Sequence, residues 1–160
     1  MKDKQSNIQE LAGFLERKRT SNSKIVLAGG CFDIFHIGHL DYLEAARKLG
    51  DVLIVGVNSD ESIARIKARP PVFQAKARTA VLAALTVVDY VFVFGEDTLS
   101  EQLVRLRPHI FAKGSDYRDR WFPEMEAARE IGCEIRIAGE AKISSSSQLR
   151  QLLAPERRKQ

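Results

Sequence analysis

Apolar positions recur along the chain with two alternating periods. Ile8, Leu11, Ala12 and Leu15 follow i, i+3, i+4, i+7, which predicts an amphipathic helix over 6–19. It closes on Glu16-Arg17-Lys18-Arg19, mostly positive as suits a helix C-terminus. Ile25, Val26 and Leu27 then run without a polar break, predicting a short buried strand over 24–28. After a glycine-rich stretch, Leu40, Leu43, Ala46 and Leu49 return to helical spacing. Gly50-Asp51 turns the chain into a second apolar run, a strand over 52–57. Ser59 or Asp60 can cap a helix over 61–68. Pro70 and Pro71 keep the next segment extended, and Ala77, Ala80, Val81 and Ala84 share one face of a helix over 74–85.

The alternation continues to the end. A third strand is predicted over 87–94, interrupted near its start by Asp89, and Thr98 can cap a helix ending near Leu106, before Pro108. A short fourth strand spans 109–112, a helix runs from about 123 to 131 and stops at Gly132, and a fifth strand spans 133–137. Four serines, Ser144 to Ser147, precede a last helix over 148–153. Strands alternating with helices at this spacing predict an α/β, Rossmann-like open parallel sheet of five strands with helices on both faces. In such sheets ligands sit beyond the carboxyl ends of the strands, at the switch point. The division expected is an N-terminal helix and connector over 1–20, one main domain over 21–154, and a basic tail over 155–160.

The loops at that edge carry the chemistry. The first is Gly29-Gly30-Cys31-Phe32-Asp33-Ile34-Phe35-His36-Ile37-Gly38-His39, between a strand and a helix. Its glycines let backbone N–H groups approach a ligand, and the following helix N-terminus favours an anion. Two histidines three apart project from one face of a helical turn. Lys113-Gly114-Ser115-Asp116-Tyr117 follows the fourth strand.

Composition narrows the function classes. At 160 residues the chain can bury about 70% of its unfolded surface without staples. The net charge of +4 suits small anions, and no basic stripe with interleaved aromatics marks a nucleic-acid surface. Cys31 and Cys133 stand in no metal-ligand spacing and read as reduced cysteines of a cytoplasmic protein. The N-terminus has no signal-peptide pattern, and no apolar run approaches the 18 or so residues that would span a membrane.

The first loop resembles a nucleotidyltransferase family with the signature G-x-F-D-x-x-H-x-G-H, matched by Gly30-Cys31-Phe32-Asp33-Ile34-Phe35-His36-Ile37-Gly38-His39 at every fixed position. The resemblance covers nearly the whole chain after residue 20. It implies transfer of a nucleoside monophosphate to a phosphate monoester with release of pyrophosphate. His36 and His39 would hold the triphosphate and stabilise the pentacovalent α-phosphorus; Lys113 would join them as a catalytic group. Gly30, Cys31, Phe32 and Asp33 would line the nucleotide site, Phe32 through its N–H and Asp33 as a brace, with Gly114 nearby. Ile143-Ser144-Ser145-Ser146 resembles the family's I-S-T-T, where hydroxyls and N–H groups of Ser144, Ser145 and Ser146 would meet the β- and γ-phosphates; plain helix capping is the alternative. Arg78 takes the place of the helical arginine that contacts the acceptor phosphate, or is a surface arginine. Lys67 and Arg69 would steer a phosphate or form a solvated cluster, with Asp116 and Tyr117 on the substrate side. Mg²⁺ bound through the triphosphate is the implied cofactor, and no protein metal site is expected.

Within the family, Asn58-Ser59-Asp60, Arg69-Pro70, Glu96-Asp97-Thr98 and Lys113-Gly114-Ser115-Asp116-Tyr117 (close to K-G-G-D-Y) resemble the branch that makes ADP-heptose from heptose 1-phosphate and ATP. A branch using CTP and glycerol 3-phosphate usually carries R-T-x-G before I-S-T-T; here Gly139-Glu140-Ala141-Lys142 stands instead. ATP and a sugar phosphate are therefore expected, with glycerol-3-phosphate cytidylyltransferase or a non-catalytic nucleotide-binding module as alternatives. A homodimer and a separate upstream sugar kinase are implied. His-Ile-Gly-His also occurs in class I aminoacyl-tRNA synthetases, but the chain is too short and has no K-M-S-K-S.

Overall fold

The computed structural model describes residues 4–20 and 22–140. The chain-order elements are α1 Ile8–Thr20, β1 Ile25–Gly30, α2 Ile37–Arg47, β2 Val52–Asn58, α3 Asp60–Lys67, α4 Ala75–Ala84, β3 Tyr90–Phe94, α5 Ser100–Leu106, β4 Ile110–Gly114, α6 Glu124–Glu130 and β5 Glu134–Ala138. A 3-10 turn, Ser115–Tyr117, follows β4. The serine run, the last helix and the tail expected from the sequence lie outside the described residues.

Five parallel strands form one sheet in the order β3-β2-β1-β4-β5. Each inner strand is apolar on both sides because both faces are covered. Ile25 and Leu27 enter one core with Leu11 and Leu15 of α1 and Leu103 and Leu106 of α5. Val26 and Ala28 enter the other, with Tyr42, Leu43 and Ala46 of α2 and Leu82 of α4. Leu11 and Leu15 are almost wholly buried, worth about 2 kcal/mol each.

Pairing shifts several strand ends from the expected positions. β3 begins at Tyr90 rather than Val87: the Asp89 N–H still donates to Leu53 O at 3.0 Å, but its carboxylate, 3.7 Å from Arg47, takes the Leu53 N–H at 2.8 Å in place of a ladder carbonyl. β4 runs on to Gly114 because β5 keeps pairing with it, Lys113 opposite Ile137 and Gly114 opposite Ala138. Lys113 therefore stands on a strand, where its backbone is fixed. Ser59, not Asp60, caps α3 through the Ser62 N–H. Thr98 stands one residue before the α5 N-cap, Leu99, and its Oγ1 accepts from Ser100 N at 3.5 Å. At the β3 edge Val91 donates its N–H to Lys4 O at 2.8 Å and accepts from Ser6 N at 3.0 Å, so 4–6 shields an edge that would otherwise offer unpaired backbone groups.

The sheet opens between its central strands. β1 pairs with β2 at six positions but with β4 only at Val26 and Leu27. Beyond them the Tyr42 hydroxyl stands between the strands, accepting from Gly29 N at 3.2 Å and donating to Ala112 O at 2.8 Å. Burial raises its pKa, which keeps it the donor this bridge needs. Tyr42→Phe should lower stability by about 1–3 kcal/mol, since it strands two backbone groups, and urea denaturation would read the loss.

Candidate active site

β1 runs first, the chain then winds outward through β2 and β3, and it returns to β4 on β1's other side. That reversal puts the loops after β1 and β4 at one edge, across a cleft of about 430 Å³. His36, His39, Lys67, Arg69, Lys113 and Tyr117 all line it, with Gly30, Cys31, Phe32, Asp33, Gly114 and Asp116.

The signature loop is held from inside. Phe32 sits in the left-handed region at φ 48°, turning the chain sharply after β1. The buried Asp33 carboxylate accepts from Val72 N at 2.6 Å and Phe73 N at 3.2 Å, and Arg69 Nη1 stands 3.3 Å away. One carboxylate thus ties the loop to the proline segment and turns Arg69 toward the cleft. Gly29 departs from the expected ligand approach. A Cβ on Gly29 would lie 2.1 Å from Leu99 Cδ1, so Gly29 admits Leu99, and its N–H is spent on Tyr42. Gly30 lies under the Phe32 ring.

His36 is the N-cap of α2, its Nδ1 accepting from Gly38 N at 3.1 Å. With Nδ1 as acceptor, the neutral ring carries its proton on Nε2, as a donor. His39 stacks on His36 with ring centroids 3.9 Å apart and 22° between planes. Phe32 and Phe35 flank His39 at 5.1 and 5.6 Å. Both imidazoles therefore lie at a helix N-terminus with no acidic residue in its first turn, a place that favours an anion.

Across the cleft, Lys113 Nζ lies 3.0 Å from Glu124 Oε1 and 4.5–5.2 Å from the ring centroids of Phe111, Tyr117 and Phe122. Burial, and then the Glu124 charge, raise the Tyr117 pKa. Below Lys113 the rim is closed by Asp41, which accepts from Glu140 N at 2.8 Å, and by Ser115 Oγ, which donates to Glu140 O at 2.7 Å. Gly139, at φ 82°, leaves room for Asp41, whose Oδ2 would lie 2.9 Å from an added Cβ.

Arg78 departs from expectation. Its guanidinium is buried, donates to Phe73 O at 2.9 Å and Cys31 O at 2.6 Å, and pairs with Asp60 at 2.7 Å. It does not line the cleft; in place of the acceptor contact expected, the structure makes it a strut under the signature loop. Burial raises the Cys31 pKa, against a smaller pull from Lys67 and Arg78, so at neutral pH it is a thiol, directed at Asn58 Oδ1 at 3.7 Å. Ser144, Ser145 and Ser146 fall outside the described residues. Sequence reasoning passed over Tyr42, Asp41, Leu99 and Glu124. Nothing local marks Glu124, since an acid in a helix's first turn is ordinary; only the pairing with Lys113 sets it apart.

A parallel sheet with basic and imidazole side chains gathered at its switch point, around the N-terminus of the first crossover helix, is the layout of an enzyme that handles nucleotide phosphates. A family model described as Cytidylyltransferase-like matches residues 27–153, and the chain belongs to that family, as a nucleotidyltransferase. The bifunctional protein HldE of Helicobacter pylori is 46% identical over 124 residues, 77% of this chain and 27% of that protein. HldE of Pseudomonas paraeruginosa is 42% identical over 141 residues, 88% of this chain and 30% of that protein. The chain thus spans less than a third of the length of these relatives. Among solved structures, a lipopolysaccharide core biosynthesis protein from Thermoplasma volcanium is 32% identical with a TM-score of 0.63, over 75% of this chain and 99% of that one. A pantoate-β-alanine ligase from Francisella tularensis, 15% identical with a TM-score of 0.61 over 92% of this chain and 72% of that one, shares the fold.

Proposed function

We propose that the chain transfers AMP from ATP to a sugar phosphate, heptose 1-phosphate being the acceptor its sequence best resembles. The observation that carries this reading is the stacked His36–His39 pair at the α2 N-terminus, with Lys113 across the same cleft. An oxygen of the acceptor phosphate attacks the α-phosphorus of ATP. The bond from that phosphorus to the bridging oxygen breaks, and pyrophosphate leaves with the electron pair. The attacking phosphate is already anionic, so no strong base is needed; the work is positioning and neutralising charge. His36 and His39 donate to the oxygens of the transferred group, and Lys113 meets charge that grows on the leaving pyrophosphate. Lys67 and Arg69, on the β2 side, receive the acceptor phosphate.

The donor set suits Mg²⁺ carried on the triphosphate. The cleft's Asp33 and Asp41 are already engaged by backbone N–H groups, and no cluster of three potential ligands occurs among the described residues. The ion would supply charge neutralisation at the phosphates. No helix among the described residues is long and apolar enough to cross a membrane. A homodimer in the cytoplasm, fed by a sugar kinase activity, belongs to the same reading.

Pyrophosphate release across ATP, CTP, GTP and UTP, each with heptose 1-phosphate or glycerol 3-phosphate and Mg²⁺, tests it. Release with ATP and the heptose is expected. Release only with CTP and glycerol 3-phosphate would replace this reading with the cytidylyl one; nucleotide binding without any release would support a non-catalytic module.

A further inference from the structure

Lys113 is held at its place from several sides. A lysine side chain has four rotatable carbons and loses about 2 kcal/mol of rotamer freedom when fixed. Here its ammonium sits among three aromatic rings beside one carboxylate, with side chains of Lys113 and Glu124 only 12% and 6% exposed. The same Glu124 Oε1 accepts from Leu99 N at 3.3 Å, at the start of α5. Leu99 in turn packs on Gly29, at the root of the signature loop. One oxygen on α6 therefore joins the end of β4, the start of α5 and, through Leu99, the end of β1. These three places surround the cleft.

We propose that Glu124 is a positioning residue: it holds the Lys113 ammonium in the aromatic cage, at the height where it meets the triphosphate, and locks the Leu99 turn in the same register. The proposal rests on the reading of Lys113 as a phosphate contact. A carboxylate so near an anion site would repel the substrate if charge were its only contribution. Its value lies in fixing one donor, and that value appears in the transition state rather than in ground-state binding.

Glu124→Gln keeps an oxygen for Leu99 and removes the charge that grips Lys113. Turnover should fall about tenfold to a hundredfold while KM for ATP stays flat or drops. The loss should vanish in a Lys113→Met background, and Glu124→Asp, with its charge kept one carbon further back, should recover part of it. A residue that only supports the fold would lower the melting temperature and leave the rate of the folded enzyme, and its dependence on Lys113, unchanged. The positioning is also read without any reaction. In the wild-type chain the Lys113 ε-methylene protons should be shifted upfield in NMR spectra by the three rings, and in Glu124→Gln they should move back toward an ordinary lysine while the remaining amide signals hold. An unmoved lysine signal, or losses that multiply in the double variant, would overturn the proposal. If the wild-type chain releases no pyrophosphate, the transfer reading fails, and the lysine spectrum still decides whether Glu124 holds Lys113.

Discussion

Replacing either signature histidine with alanine should cut turnover about a hundredfold or more, the scale on which enzymes lose a transition-state donor. The two rings stack at 3.9 Å, so each also holds the other in place. The double variant should therefore lose much less than the product of the single losses, because the pair acts as a unit. His36 needs a sharper substitution than alanine. Its Nδ1 caps α2, and losing a cap costs about 1 kcal/mol of stability on its own. Asparagine caps a helix as well as any residue, so His36→Asn should keep the melting temperature near that of the wild-type chain and still lose turnover. Pyrophosphate release beside a thermal melt separates the two effects. Near-normal turnover in His36→Asn and His39→Ala would remove the pair from the chemistry.

Arg78→Ala should be the most destabilising single change near the cleft. It leaves the Phe73 and Cys31 carbonyls without their donor and takes the ionic partner from Asp60, which keeps the Ala75 N–H; two part-buried acceptors left unpaired, with the guanidinium's packing lost, cost about 3 kcal/mol together. For a chain of this length that corresponds to a fall of roughly 10 °C in melting temperature. Arg78→Lys should recover little, since one ammonium cannot reach three acceptors spread around a planar fork. Scanning calorimetry checks both. If Arg78 instead held the acceptor phosphate, Arg78→Lys would raise KM for the acceptor and leave the melt unchanged.

The fold was legible because its signals are long and periodic. Five apolar runs alternate with helical spacing, and an open parallel sheet with helices on both faces buries all of them. The strand ends were less legible, since pairing sets them: β4 reaches Gly114 because β5 continues beside it, and β3 starts late because Asp89 bonds Leu53 through its side chain. In the site, His36, His39 and Asp33 could be read from a local motif. Arg78 could not, because on helical spacing a buried strut and a substrate-facing arginine look alike; burial of its guanidinium against Cys31 O decides it. Tyr42 and Glu124 escaped for a related reason. Each works by joining segments far apart in the chain, β1 to β4 for Tyr42 and α6 to β4 and α5 for Glu124.

Label tracing tests the transfer most directly. ATP labelled at the α-phosphate in one reaction and at the γ-phosphate in another would be incubated with heptose 1-phosphate and Mg²⁺. The account predicts that the α-label enters a nucleoside diphosphate sugar and the γ-label leaves as pyrophosphate. A γ-label on the sugar, or an α-label recovered only as free AMP, would contradict it.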